Sequence, residues 1–133
     1  MRAAAPLLLM TAGACVSATP AEPLALSSAE VWERHHELDG QKIVVEGWLQ
    51  YCKPLGCRIA DSKDDRDPGL SIASSASFDR SIDGLVGQKI RLSARLDAEC
   101  LHVSVHGANP DGSMIVCTDR ASELREPMLL QVL

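Results

Sequence analysis

Two stretches of the chain alternate between apolar and polar residues and predict two long β-strands. Residues 41–51 read Gln-Lys-Ile-Val-Val-Glu-Gly-Trp-Leu-Gln-Tyr, and residues 88–97 have the same period of two. Such alternation is typical of a strand with one face in the core. The side chains expected to point into a common core are Ile43, Val45, Leu49, Ile90, Leu92 and Leu96.

Gly47 interrupts the first of these strands. A glycine inside a strand predicts a bulge or a sharp bend, as at the corner of a small barrel. Trp48 and Tyr51 both follow it and have opposite parity. On an unbent strand the two rings are therefore expected on opposite faces, and a bulge at Gly47 would not change this.

Helix signals come before and between these strands. Ser27 followed three residues later by Glu30 is a capping box, which predicts a helix over 28–38. The helical spacing of apolar residues after Ser77 predicts a second, short helix over 77–84.

Shorter segments complete the predicted fold, which is all-β with minor helices. The short strands are expected at residues 58–60, 70–73, 99–106 and 113–118. A polar loop over 61–69 separates the first two, and the tail over 119–133 is ambiguous because Pro127 breaks any helix there. We expect a five-stranded antiparallel barrel over 41–118, preceded by the N-terminal helix.

The first residues are typical of a secretory signal peptide rather than of a folded segment. Arg2 precedes an apolar stretch over 3–10 that is too short to span a bilayer. Small residues then lead to Cys15, either as a bacterial lipobox whose cysteine is lipidated or as an ordinary cleavage site that releases a soluble protein. We expect residues 1–14 to be removed and residues 15–25 to form a lipid anchor and tether.

Counting the cysteines supports lipidation. Five cysteines in an exported protein leave one unpaired, whereas a lipidated Cys15 leaves an even four. Cys52 and Cys57 flank a Lys-Pro-Leu-Gly turn and would face each other where a hairpin closes. Cys100 and Cys117 would be opposite in the register that also keeps the apolar residues of the last two predicted strands on one face. We expect the disulfides Cys52–Cys57 and Cys100–Cys117, because the spacing does not suit a four-cysteine zinc site.

Charge limits the partners. The chain has 13 basic and 18 acidic side chains and a net charge of −5; without Arg2 the mature chain has 12 and 18, a net charge of −6. Affinity for a phosphate backbone comes largely from basic contacts, and single-strand binders also need several stacked aromatic rings. With aromatics at only 3% of residues, nucleic acid is not the expected partner.

No catalytic or metal-binding constellation stands out. His35 and His36 are adjacent on a helix and point roughly 100° apart, and His102 and His106 lie roughly 13 Å apart on a straight strand, so neither pair chelates a metal. The aspartates of loop 61–69 lack calcium-loop spacing and predict a solvated loop. The chain has no Gly-x-Ser-x-Gly elbow and no Gly-rich phosphate loop. We expect no catalytic residue, metal or cofactor.

Two short motifs carry a resemblance to a known group. Residues 38–47, Leu-Asp-Gly-Gln-Lys-Ile-Val-Val-Glu-Gly, resemble the entry to the first strand of bacterial exported OB-fold-like domains, some of them lipoproteins. Residues 85–92, Leu-Val-Gly-Gln-Lys-Ile-Arg-Leu, are similar to the entry to their fourth strand. The resemblance covers about residues 26–118 and implies a five-stranded OB-fold-like barrel. Most members of the group are uncharacterised, so it implies no catalytic residue.

These patterns predict a non-enzymatic cell-envelope domain over 26–133, periplasmic and held at the membrane through Cys15, that binds an envelope protein or glycan. The alternative is an oligosaccharide- or nucleic-acid-binding module whose ligand face contains Trp48, Tyr51 and Arg58. A groove that brings these three side chains together would favour the alternative.

Overall fold

The computed structural model describes residues 13, 23–53, 56–65, 68–101 and 122–133. Strands predominate over helices, which confirms the predicted mostly-β class. In chain order the elements are β1 (Ala25–Leu26), α1 (Ser28–Glu33), α2 (His35–Leu38), β2 (Lys42–Lys53), β3 (Gly56–Ala60), β4 (Gly69–Ala73), α3 (Ala76–Ser81), β5 (Lys89–Leu96), a 3-10 turn (Glu99–Leu101) and β6 (Leu124–Val132).

The six strands form one sheet whose pairing runs in a ring. Their order is β1, β2, β3, β4, β6, β5, and β5 also pairs with β2. Neighbouring strands are antiparallel, except that β1 is parallel to β2 and β4 is parallel to β6. The contact between β4 and β6 is short, because a single pair, Ile72 opposite Leu124, joins them in the described segments.

β2 pairs with different neighbouring strands along its length. Residues 42–48 pair with β5, and residues 48–53 pair with β3. Gly47 lies where the partner changes, and a Cβ atom added to it would stand 2.6 Å from the carbonyl oxygen of Ala60. A close backbone approach therefore requires glycine here. The bulge itself lies further on, at Gln50, where the register with β3 shifts.

The interior of the ring is the hydrophobic core. All six side chains that the alternation assigns to the core are buried, with exposures of 5% or less, which confirms that prediction. Other apolar side chains from the strands and helices complete the cluster, including Ile59, Leu70, Ile72, Phe78 and Leu124.

The predicted N-terminal helix begins as expected and divides at Arg34. The Ser27 hydroxyl accepts a hydrogen bond from the Glu30 amide at 3.1 Å, and the Glu30 carboxylate accepts one from the Ser27 amide at 2.7 Å, so the capping box is confirmed. Arg34 has φ −106° and ψ 18°, and this departure from helical geometry separates α1 from α2. Val31 and Leu38 attach the two short helices to the core.

The second predicted helix is present as α3, with a different cap. The hydroxyl of Ser75, not that of Ser77, accepts a hydrogen bond from the Phe78 amide at 3.3 Å, so the helix begins earlier than expected. Phe78 and Ile82 are buried in the core.

The helices cover opposite ends of the ring. α3 follows the end of β4 and leads into β5. α1 lies at the other end, where β4 begins, because the Trp32 indole donates a hydrogen bond to the carbonyl oxygen of Gly69 at 3.0 Å.

The strand that completes the ring lies in the tail rather than where the sequence predicts it. Glu99–Leu101 forms a 3-10 turn, so the strand predicted over 99–106 does not begin at Glu99. The rest of that segment and the strand predicted over 113–118 lie outside the described residues. β6 takes the last place in the ring and pairs with β5.

Two irregularities explain why β6 has no alternating pattern. Its register with β5 shifts between Arg91 and Leu92 and again between Ser93 and Arg95. Glu126, at the second shift, has a positive φ of 50°. Each extra residue reverses the side-chain parity beyond it, so the apolar positions of β6 do not recur every second residue.

Candidate ligand-binding face

A one-residue bulge in β2 brings Trp48 and Tyr51 to the same side of the sheet. Trp48 is opposite Ala60 and Tyr51 is opposite Arg58, with Gln50 as the extra residue. Because Ala60 and Arg58 are two residues apart on β3, their partners point to one face. The prediction that the rings lie on opposite faces is therefore wrong, since the bulge falls between them and not before them.

Arg58 lies on the same surface, and we call the outward side chains of Trp48, Tyr51 and Arg58 the β2–β3 face. Tyr51 is 38% exposed, and Trp48 and Arg58 are half-buried. The next pair along the hairpin is Cys52 opposite Cys57, with their sulfur atoms 2.06 Å apart, as a disulfide requires. This link closes the hairpin beside the Tyr51–Arg58 pair and limits how far the two strands can separate there.

Two lysines stand over the rings of the face. The Lys53 ammonium lies 5.1 Å from the centre of the Tyr51 ring, and the Lys63 ammonium lies 5.3 Å from the centre of the Trp48 ring. Both distances are within the range of cation–π attraction. Together with Arg58, the lysines place three basic side chains on this surface, in a chain whose net charge is −5.

The bulge residue also organises the loop that follows β3. The Gln50 amide donates hydrogen bonds to the carbonyl oxygens of Ser62 and Asp65, at 2.9 and 2.6 Å. Within the loop, the Ser62 hydroxyl accepts hydrogen bonds from the amides of Asp64 and Asp65, both at 3.2 Å. Gln50 therefore ties the loop to β2, and this loop carries the lysine that covers Trp48.

The sequence predicts that Asp61 is a solvated loop residue, but the structure gives it a specific role. Its two carboxylate oxygens accept hydrogen bonds from the amides of Ser28 and Ala29, at 2.6 and 2.9 Å. These amides belong to the first turn of α1, which has no partners for them inside the helix. Asp61 thus joins the end of β3 to the start of α1.

Other carboxylates near the start of α1 are also paired. Glu46 forms ion pairs with Arg91 at 2.8 Å and with Lys89 at 3.3 Å. The hydrogen bond from Arg91 lowers the pKa of Glu46, against the effect of burial. The backbone hydrogen bond from Ser27 lowers the pKa of Glu30. Both carboxylates are held ionised by structural partners.

Sequence reasoning selected the three residues of the β2–β3 face but missed the residues that shape it. In the sequence, Gln50 looks like an ordinary polar position of an alternating strand. The bulge could not be recognised there because it depends on how β3 pairs with β2. Lys53 and Lys63 reach the rings from loop or hairpin-end positions that the bulge brings near. Only the cysteines around the turn gave a signal for the local register.

The histidines keep local contacts. His35 Nδ1 lies 2.6 Å from the carbonyl oxygen of Trp32, and its ring centre is 4.2 Å from that of His36. His102 and His106 lie outside the described residues. Among the residues that are described, no group of three or more His, Cys, Asp or Glu side chains is arranged to hold a metal ion.

The remaining predicted sites fall outside the described part of the chain. These are the signal segment apart from residue 13, Cys15, and the Cys117 end of the Cys100–Cys117 bridge. In the segments that are described, no helix has the length and apolar character needed to cross a membrane.

No protein-family model, no curated protein and no solved structure matches this chain, so its function is argued from the β2–β3 face and the surrounding charges.

Proposed function

We propose that residues 26–133 form an exported, non-enzymatic binding module of OB-fold-like architecture whose ligand is an oligosaccharide of the cell envelope. The observation that carries the proposal is the β2–β3 face, where the Gln50 bulge sets Trp48 and Tyr51 beside Arg58. Aromatic rings provide flat apolar platforms with polar edges, and a guanidinium provides several fixed donors for hydroxyl and carboxylate oxygens. This combination suits the alternating apolar and polar surfaces of a sugar chain.

The order of the strands supports the OB-fold-like part of the proposal. Leaving aside the two-residue β1, the remaining strands run first, second, third, fifth, fourth and back to the first. A helix lies between the third and the fourth, as in the OB-fold. OB-folds bind oligosaccharides and oligonucleotides on the outer surface of the barrel.

The charge of the chain favours a glycan over a nucleic acid. The position of both rings on one face removes one argument against stacked bases, and the face carries basic side chains. However, a polyphosphate must approach a protein with a net charge of −5, and its affinity depends on many basic contacts. An oligosaccharide needs only a few donors and a stacking surface, and the face supplies both.

Lipidation of Cys15 completes the proposal. Cleavage before Cys15 would leave a short Pro-containing tether, and two or more acyl chains on the cysteine would give durable membrane attachment. The expected result is an intact mass of the exported protein that includes acyl chains. A Cys15→Ser variant that stays in the membrane fraction would contradict this part.

Binding is tested by isothermal titration of the exported protein with tetramers of N-acetylglucosamine and of galacturonic acid. We expect saturable binding of at least one sugar and a loss of roughly tenfold or more in Trp48→Ala and Tyr51→Ala. Stacking on one aromatic side chain contributes about 1–3 kcal/mol for a nucleic-acid base, and a sugar ring makes the same kind of contact. Met128→Gln, on β6, is the matched control and should bind normally.

A labelled fifteen-nucleotide single-stranded DNA tests the competing proposal, which is a nucleic-acid ligand. Micromolar binding to DNA that weakens steeply with salt, without binding to either sugar, would overturn the glycan proposal in favour of a nucleic-acid module. Equal binding by Trp48→Ala and the parent protein would show that the ligand site lies elsewhere.

A further inference from the structure

A concave surface lies on the outer side of β2, β5 and β6, away from the β2–β3 face. It is a groove of about 580 Å³, within the usual size range of small-molecule sites. Val44, Ser93 and Met128 are cross-strand neighbours and form a continuous row along it. The described lining includes Lys42, Val44, Arg91, Ser93, Met128 and Leu130.

The lining of this groove is largely apolar and includes exposed large side chains. Met128 is 52% exposed and Leu130 is 47% exposed. Val44, by contrast, is 7% exposed and lies deeper. Contiguous apolar surface of this kind is typical of a binding site rather than of ordinary solvated sheet.

Ser93 is the unusual residue of the row. The side chain is 4% exposed, and its hydroxyl oxygen is buried with no hydrogen-bond partner among the described residues. Buried hydroxyl groups in folded proteins almost always have a partner, because leaving one without a partner is costly. A polar group of a ligand in the groove would provide the missing partner.

The charged residues of the groove indicate the charge of that ligand. Lys42 and Arg91 are the charged residues among the described lining positions, and both are basic. Arg91 is fixed by its 2.8 Å contact with Glu46 and a 3.3 Å hydrogen bond to Gln131. Lys42 is exposed and has no ion pair with any described residue. A single negative charge would complement Lys42 without disturbing the Arg91 contacts.

We propose that this groove binds a single-chain anionic amphiphile of the fatty-acid type. The alkyl chain packs along Val44, Met128 and Leu130, and the carboxylate lies between the Lys42 ammonium and the Ser93 hydroxyl. This site is independent of the β2–β3 face and of the oligosaccharide proposal, since the two surfaces use different halves of β2.

The test is a titration of the exported protein with laurate below its micellar concentration, followed by amide chemical shifts in NMR. We expect saturable one-to-one binding with shifts centred on residues 42–44, 91–93 and 128–131. Dodecyltrimethylammonium should bind at least tenfold more weakly, because its charge is opposite. Equal binding of the two amphiphiles, or shifts that do not saturate, would overturn the proposal.

Three variants separate the contributions. Ser93→Ala should lose about tenfold in laurate affinity, as expected for one hydrogen bond to a charged group, without lowering the stability of the free protein. Lys42→Gln should weaken laurate but leave binding of dodecanol unchanged. Met128→Gln should weaken both.

Tyr51→Ala is the control and should bind laurate normally, whether or not it binds sugars. If Ser93→Ala and Lys42→Gln both bind laurate like the parent protein, the proposed site is wrong. Sedimentation that shows a dimer insensitive to laurate, with the same residues shifted on dilution, would instead assign the groove to a second copy of the chain.

Discussion

Gln50 is one inserted residue that determines the arrangement of a whole surface. It occupies a place in β2 that has no counterpart on β3, and it sends its side-chain amide across to two carbonyl groups of the neighbouring loop. The insertion determines which rings share a face, and the side chain determines where the loop lies. The backbone and the side chain of the same residue therefore act on the same surface.

Replacing Gln50 with alanine tests the side-chain part of this role. Gln50→Ala should keep the bulge, lose both hydrogen bonds to the loop, and lower the free energy of unfolding by about 1 kcal/mol. Amides of residues 61–65 should then exchange with solvent faster. Gln131→Ala, which removes an exposed side-chain contact, is the control and should change stability by less than about 0.5 kcal/mol. Unchanged exchange in the loop would refute the role.

Gly47 gives a second prediction at the scale of single residues. In Gly47→Ala the new methyl group would meet the Ala60 carbonyl oxygen at 2.6 Å, and both atoms belong to paired strands that cannot easily move. We expect a loss of about 1–3 kcal/mol, typical of overpacking, measured by urea unfolding.

Gly84→Ala is the comparison for Gly47→Ala. Gly84 has φ 76° and open space where a Cβ atom would lie, so it tests backbone conformation without a clash. Its expected cost is about 1–2 kcal/mol, the cost of a left-handed backbone conformation for a residue with a Cβ atom. If Gly84→Ala proves the more harmful of the two, the close approach at Gly47 is not a constraint.

At the scale of elements, α1 depends on contacts from outside its own sequence. Its capping box is local, but the amides of Ser28 and Ala29 are bound by Asp61, more than thirty residues away. The Trp32 indole adds a third link, to Gly69. A helix of six residues is too short to be stable alone, so these links hold it on the end of the ring.

Asp61→Ala removes the most direct of these links. We expect a loss of about 1–2 kcal/mol in the free energy of unfolding, since two amides of the first turn lose their charged acceptor. Asp64→Ala, an exposed position in the same loop, should stay within about 0.5 kcal/mol of the parent protein. Equal effects of the two substitutions in urea unfolding would contradict the assignment.

The predictability of each element follows from how local its determinants are. The capping box of α1 and the alternation of β5 lie in adjacent residues, and both were read correctly from the sequence. β6 was not, because its two register shifts are set by pairing with β5, and Pro127 argued only against a helix and left the tail ambiguous. The β2–β3 face was likewise predictable only in part. The sequence identified its three residues, but their position on one side of the sheet depends on a bulge that is set by pairing with β3.

At the scale of the whole molecule, several of the carboxylates form ion pairs with basic side chains. Glu46 joins β2 to β5 through Lys89 and Arg91, and Asp97 on the chain after β5 lies 2.8 Å from Arg125 of β6. These ion pairs connect β2 with β5, and the chain after β5 with β6. Their contribution depends on the carboxylates remaining ionised.

The pKa of Glu46 gives a pH prediction. Because Arg91 lowers this pKa in the folded state, the contribution of Glu46 is fully present above the ordinary glutamate value of about 4.3 and is lost as the pH falls below it. Stability measured by urea unfolding between pH 6 and pH 3 should decline less steeply in Glu46→Gln.

Arg91→Gln is the companion variant, since it removes the group that lowers the Glu46 pKa. It should show the same shallower decline. If both variants follow the parent profile, other carboxylates account for the acid sensitivity.

In the described segments a single residue pair, Ile72 opposite Leu124, joins β4 to β6, and this short junction is the seam of the ring. Separating the two strands there breaks no hairpin and leaves an open sheet in the order β4, β3, β2, β5, β6, so we expect the ring of strands to open here at the lowest cost. Such opening would admit water next to Leu70, Ile72 and Leu124 before water reaches any other part of the core. Native-state hydrogen exchange should therefore find that the amides along this seam open through small fluctuations, whereas those shared by β2 and β5 open only when the whole molecule unfolds.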